Sequence, residues 1–106
     1  MDAKVAKCLL VSKVLVADGI MTENERAFLD RLMKRLELDE AMRKKVIDLD
    51  GLDQAESIVA KLSLEEKQEM VTVLVDAASA DGRLSPLELK VVRDLTYVLG
   101  LGDSAP

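Results

Sequence analysis

The stretch VADGIMTENE occupies residues 16–25, and SADGRLSPLE occupies residues 79–88. Each carries Ala-Asp-Gly, then a hydroxyl residue, then a glutamate at one fixed distance. Shifting the sequence by 63 residues superposes them and keeps matching beyond: Glu25 on Glu88, Leu32 on Leu95, Leu36 on Leu99 and Leu38 on Leu101. Conservative pairs fill the gaps, with Met21 on Leu84, Thr22 on Ser85, Phe28 on Val91 and Leu29 on Val92. The chain is an internal duplication of a helical hairpin. Two copies are too few for a solenoid, so the repeat predicts a compact pseudo-symmetric domain.

Residues 3–17 are apolar on most sides, at Val5, Cys8, Leu9, Val11, Val14, Leu15 and Val16, as a helix surrounded by others would be. Residues 64–80 read alike, through Met70, Val71, Val73, Leu74, Val75, Ala77 and Ala78, and the two are expected to form a central pair. The helices after the repeated loops are amphipathic. One carries Phe28, Leu29, Leu32, Met33 and Leu36; the other carries Leu87, Val91, Val92, Leu95, Val98 and Leu99. Two shorter helices are predicted near 40–49 and 53–62, separated by Asp50-Gly51, with Asp39 as N-cap of the first and Val46, Ile47 and Leu49 facing inward. No segment alternates with period two. The fold class is therefore all-α: one domain over 1–106, about six helices, hairpins over 3–38 and 64–101, and short linking helices within 40–62. The tail after Leu101 is expected to fray.

Local chemistry accounts for most of the repeated loop. Thr22 with Glu25, and Ser85 with Glu88, fit the capping box, in which the hydroxyl accepts from the N3 amide and the glutamate reaches back to the N-cap amide. Pro86 falls at N1, where a missing N–H costs nothing. Ser63 with Glu66 forms a third box with no Asp-Gly before it. Gly19 and Gly82 follow apolar helices and suit left-handed helix stops. Asp18 and Asp81 are left over, since an aspartate at a helix C-terminus meets the negative end of the dipole.

The spacing argues against an EF-hand register in either loop alone. With Gly19 at loop position 6, Asp18 and Glu25 fall at positions 5 and 12, but positions 1 and 3 become Val14 and Val16, or Ala77 and Ser79 in the second copy. Half the oxygen ligands are missing. A cation site shared by the two loops, with Asp76 one turn before Ala80, stays open, and hard carboxylate ligands would suit calcium, magnesium or manganese.

These residues resemble the TerB-like family, helical domains named from tellurite-resistance proteins and found also at the N-terminus of a membrane-anchored DnaJ-type co-chaperone. The resemblance rests on LLVSKVLVADGIMTENERAFLDRLMKRLEL and VTVLVDAASADGRLSPLELKVVRDLTYVLGL. It implies an all-α fold with two equivalent halves, an association with stress or defence systems, and a divalent-metal site built from acidic residues. Carried over by position, that site involves Asp18, Glu25, Asp81 and Glu88. The co-chaperone activity is not carried over, because no J-domain motif is present in this sequence.

Composition narrows the function classes. The net charge is −5, which argues against nucleic-acid binding, since phosphate neutralisation needs clustered Lys and Arg. The only aromatic residues are Phe28 and Tyr97, so the core must be aliphatic. The single cysteine, Cys8, lies in an apolar run and reads as a buried thiol in a reducing compartment. No run approaches a bilayer span, and no signal sequence opens the chain, so a cytoplasmic protein without membrane insertion is expected. There is no His, no activated nucleophile arrangement, no phosphate loop and no zinc spacing, so no enzyme and no small-molecule substrate are expected. Charge is unevenly placed: seven basic against four acidic residues from Arg26 to Lys45, then seven acidic against two basic from Asp48 to Glu69. The leading expectation is an interaction module that docks to protein partners through Arg26, Lys34, Arg35, Arg43, Lys44 and Lys45 or through the acidic stretch. The alternative is a metal-responsive module that binds a divalent cation at Asp18, Glu25, Asp81 and Glu88.

Overall fold

A computed structural model describes residues 1–80, 82 and 85–101. Among them are six helices and no strand: α1 (Ala3–Leu15), α2 (Glu23–Arg35), α3 (Glu40–Ile47), α4 (Leu52–Ala60), α5 (Leu64–Ala78) and α6 (Pro86–Val98). Residues 102–106, where the tail was expected to fray, lie outside the described residues.

The helix starts follow the side-chain chemistry of the sequence. Lys4 N donates to Asp2, Glu25 N to Thr22, Met42 N to Asp39, Glu66 N to Ser63 and Glu88 N to Ser85, so five of the six helices begin on a side-chain cap. The sixth, α4, begins on Gly51 at φ +90° with no side-chain cap.

Three helices end alike. After α2, Glu37 N donates to Lys34 O and Leu38 N to Met33 O; α3 ends in the same pair of bonds through Leu49 and Asp50, and α6 through Gly100 and Leu101. This is the Schellman arrangement, which needs a left-handed residue just past the cap and favours an apolar residue after it. It explains why the repeat matches at Leu36/Leu99 and Leu38/Leu101: these are the cap and the apolar residue following the left-handed position. The second copy places Gly100 there (φ +79°), whereas the first places Glu37 (φ +60°).

One cluster of buried side chains draws on all six helices, and α1 is its centre. Val5, Ala6, Cys8, Leu9, Leu10, Val11, Ser12, Val14 and Leu15 are all buried, and α1 touches each of the other five helices. Each fully buried Leu or Val contributes on the order of 1.5–3 kcal/mol, so this helix alone carries a large share of the driving force. Its inner lysines are answered by neighbours: Lys13 Nζ lies 2.7 Å from Glu56 on α4, and Lys7 Nζ 3.7 Å from Glu66 on α5. The acidic stretch between Asp48 and Glu69 thus supplies partners to the central helix.

The expected central pair is half correct. α1 is enclosed, but α5 buries one face only, at Met70, Leu74, Ala77 and Ala78, and leaves Val75 44% exposed. The closest partner of α1 is the short α4, whose Ala55 and Val59, one turn apart, are fully buried against the core. A small residue at that contact lets the backbones approach, which offsets the shortness of the helix. Ile47, expected to face inward, is exposed because α3 presents only Val46 to α1, and on α6 Leu87 and Val98 also face solvent.

Replacing Glu37 with Gly removes a side chain from an exposed left-handed position. The account predicts that Glu37→Gly raises the unfolding free energy by about 0.5–1 kcal/mol, read as a higher urea midpoint at unchanged slope. A lower midpoint would show that Glu37 is held by something other than the local backbone geometry.

Candidate functional site

The first repeated loop begins where α1 runs out of hydrogen bonds. Val16 N still donates to Ser12 O, Ala17 N to Val14 O, and Gly19 N to Val16 O at 2.9 Å, so the chain makes one further turn beyond the helix before it leaves. Gly19 sits at φ +102° in this extra turn, not at the helix stop itself. Asp18 is therefore three residues past the end of α1 and exposed to water. The dipole effect fades within the last turn and is screened at the surface, so the mismatch expected from the sequence has little weight for Asp18. Asp81, its counterpart, lies outside the described residues.

The loop then closes on the capping box of α2. Thr22 N donates to Glu25 Oε1 at 2.9 Å and Glu25 N to Thr22 Oγ1 at 3.2 Å. In the second copy Glu88 N lies 3.4 Å from Ser85 Oγ, and Pro86 opens α6. Glu25 and Glu88 are each only 2% exposed, whereas Glu66, in the third box, keeps its side chain 47% exposed. Capping does not require burial of the carboxylate. That burial is a property of the repeated loop, and the sequence did not reveal it because all three boxes read alike.

The six basic residues expected to form one docking stripe have separate local roles. Arg26 Nε pairs with Asp30 at 3.2 Å, Lys44 Nζ with Asp48 at 2.7 Å, and Arg43 Nε donates to Leu38 O at 3.2 Å. The hydrogen bond and charge of Asp48 hold the Lys44 ammonium above its ordinary pKa. Lys34 and Arg35 occupy the last turn of α2, and Lys44 and Lys45 the last turn of α3, where cations complement the helix dipole. Among the described residues Lys34, Arg35 and Lys45 make no ion pair.

Arg35 also belongs to a feature that the sequence reading missed. A depression of about 220 Å³ lies between α2 and α5, with Lys7 of α1 on its floor. Its α2 wall is Leu32, Arg35 and Leu36, and its α5 wall is Glu66, Glu69, Met70 and Val73. A second hollow of about 300 Å³, lined by Phe28, Arg31, Leu32 and Arg35, adjoins it along α2. Besides Lys7, the α2 side carries Arg31 and Arg35 and the α5 side Glu66 and Glu69, around the apolar Phe28, Leu32, Leu36, Met70 and Val73. The signal was available in the duplication, at the positions where the two copies disagree: the 63-residue shift sets Glu66 against Ala3, Glu69 against Ala6 and Arg35 against Val98.

The family model for tellurite resistance protein TerB matches residues 4–105. The chain belongs to the TerB family. No curated protein and no solved structure matches it. The family assignment agrees with the all-α architecture and its duplicated hairpins, and it brings the acidic positions back into question. Among the described residues, no three of Asp, Glu, Cys and His gather into a group that could hold a cation. Glu25 commits Oε1 to the Thr22 amide, and Asp18 points into solvent beyond α1. Asp18, Glu25 and Glu88 are not gathered into one group, and the fourth position of the expected set, Asp81, lies outside the described residues.

Cys8 is fully buried, and burial pushes its thiol up to about 12, against a smaller lowering by the Lys7 charge. Such a thiol stays protonated and packs as a small apolar group. No helix among the described residues is long and apolar enough to cross a membrane.

Local capping at the first loop makes a graded prediction. Thr22→Ala should lower stability by about 1 kcal/mol, Glu25→Gln should be milder because the amide oxygen can still accept from Thr22 N, and Asp18→Asn should fall within about 0.5 kcal/mol of the parent. Urea unfolding of the three variants checks the order. A large loss for Asp18→Asn alone would contradict it.

Proposed function

We propose that this TerB-family chain is a non-enzymatic, cytoplasmic helical module that docks to partner proteins, in the stress-response or defence setting to which the family's tellurite-resistance name points. The observation that carries this reading is the solvent-open hollow between α2 and α5. Half-buried Phe28, Leu36 and Val73 line the two adjoining hollows, over Leu32 and Met70, which belong to the buried core. The charges above them are available as well: among the described residues Arg31, Arg35 and Glu69 have no ion-pair partner. The absence of histidine from the sequence removes the commonest general acid–base group, and the net charge of −5 disfavours a nucleic-acid partner.

Two measurements test the reading. Crosslinking of the tagged chain in its own cells should recover a discrete protein partner, and excess untagged chain should displace it; recovery of no displaceable partner would overturn the proposal. Melting the protein in EDTA and then in millimolar calcium, magnesium or manganese should leave the transition unchanged. A ligand well above its dissociation constant must stabilise the folded state, so a reproducible rise with one metal would favour the metal-responsive module instead.

A further inference from the structure

We propose that the hollow between α2 and α5 receives one amphipathic helix of a partner protein, whose apolar stripe is bordered by acidic side chains on one edge and basic side chains on the other. This rests on the docking reading above and specifies the partner's chemistry.

The groove exists because the duplication is imperfect. On one side of the molecule α6 packs against both α1 and α5; on the other, α2 packs against α1 and barely reaches α5. The sequence supplies the reason. Where α1 carries Ala3 and Ala6, α5 carries Glu66 and Glu69 at the equivalent positions. Ala6 is completely buried, while Glu69 is exposed and would have to be desolvated for α2 to close down on α5. The helix that would complete the pseudo-symmetric packing is thus held off by charge, and half-buried Leu36 and Val73 are left lining the gap above the core residues Leu32 and Met70.

Shape and charge together select the occupant. The lining residues follow helical spacing on both walls, Phe28, Leu32 and Leu36 on α2 and Glu66, Met70 and Val73 on α5. From Phe28 to Leu36 the wall runs for about two turns, or roughly 12 Å, enough to seat two anchoring side chains one turn apart. The described residues offer no strand edge for an extended peptide to join. Arg31 and Arg35 stand one turn apart on one rim, and Glu69 faces them with Glu66, which is tied only loosely to Lys7 at 3.7 Å. A helix of a single charge sign would be attracted by one wall and repelled by the other. Only a helix with one edge of each sign complements both, and the requirement that its acidic edge face α2 fixes its direction along the groove.

Three synthetic helical peptides of about 18 residues, sharing one apolar stripe at i, i+3, i+4 and i+7, test this on the intact chain. One has a Glu edge and a Lys edge, one has Glu on both edges, and one has Lys on both. The mixed-edge peptide should bind at least about tenfold more tightly than either single-sign peptide at low salt, and should shift the amide resonances of Leu32, Leu36, Met70 and Val73. In the double variant Arg31→Glu/Arg35→Glu the preference should move to the all-Lys peptide. Equal binding of the three peptides by the parent chain, no binding up to millimolar peptide, or shifts confined to α3 would each overturn the proposal, and the parent ranking decides even where the double variant unfolds. A concentration-dependent dimer that the double variant abolishes would replace the partner helix by a second copy and overturn it too. If the groove fails in these ways while a displaceable partner is still recovered by crosslinking, only the assignment of the groove is lost; if no partner is recovered, the docking reading itself is lost.

Discussion

The burial of α1 is the constraint on which the rest of the structure depends. A helix with no continuous polar face can exist in water only if other elements surround it, and five helices do so here. That requirement fixes the roles of the others. α4, too short to be stable alone, is held by its close crossing at Ala55 and Val59. The amphipathic α2, α5 and α6 each bury one stripe, and α3 contributes Val46. Even the two lysines on the inner turns of α1 are met by carboxylates from α4 and α5.

Duplication gives the molecule two similar halves, but the halves are used differently. Capping, loop and helix-end chemistry are repeated in both, so the backbone path is repeated too. The side chains that decide how tightly a hairpin closes are not. α6 packs against both α1 and α5, whereas α2 packs against α1 and barely reaches α5, which carries Glu66 and Glu69 where α1 has Ala3 and Ala6. The hollow between α2 and α5 lies on the less closed side of that asymmetry.

Most of the fold was legible in the sequence because it is written in local signals. Ser, Thr and Asp at helix starts, spacing of three and four residues, and the apolar circumference of residues 3–15 each have a physical reading that needs no tertiary information. What was not legible depended on which face meets which neighbour. The apolar residues of α5 read like those of α1, yet Val75 is solvent-exposed because it lies on the outer face of α5 with the exposed Gln68 and Thr72, away from the side that faces α2. Glu25 and Glu66 share one capping pattern, yet one carboxylate is buried and the other is not. The family's acidic positions were visible as a motif, but only coordinates could report that Asp18, Glu25 and Glu88 do not gather. Nor does the run of basic residues show in sequence that Arg26 and Lys44 pair with Asp30 and Asp48 one turn along their own helices.

Native-state hydrogen exchange tests the central position of α1 most directly. The amides from Leu10 to Val14 should exchange only through global unfolding, with free energies equal to that from urea denaturation, while amides of α2 open at lower free energy. Exchange of the α1 amides at or above the rate of those in α2 would contradict the account, because the core could then open without the molecule unfolding.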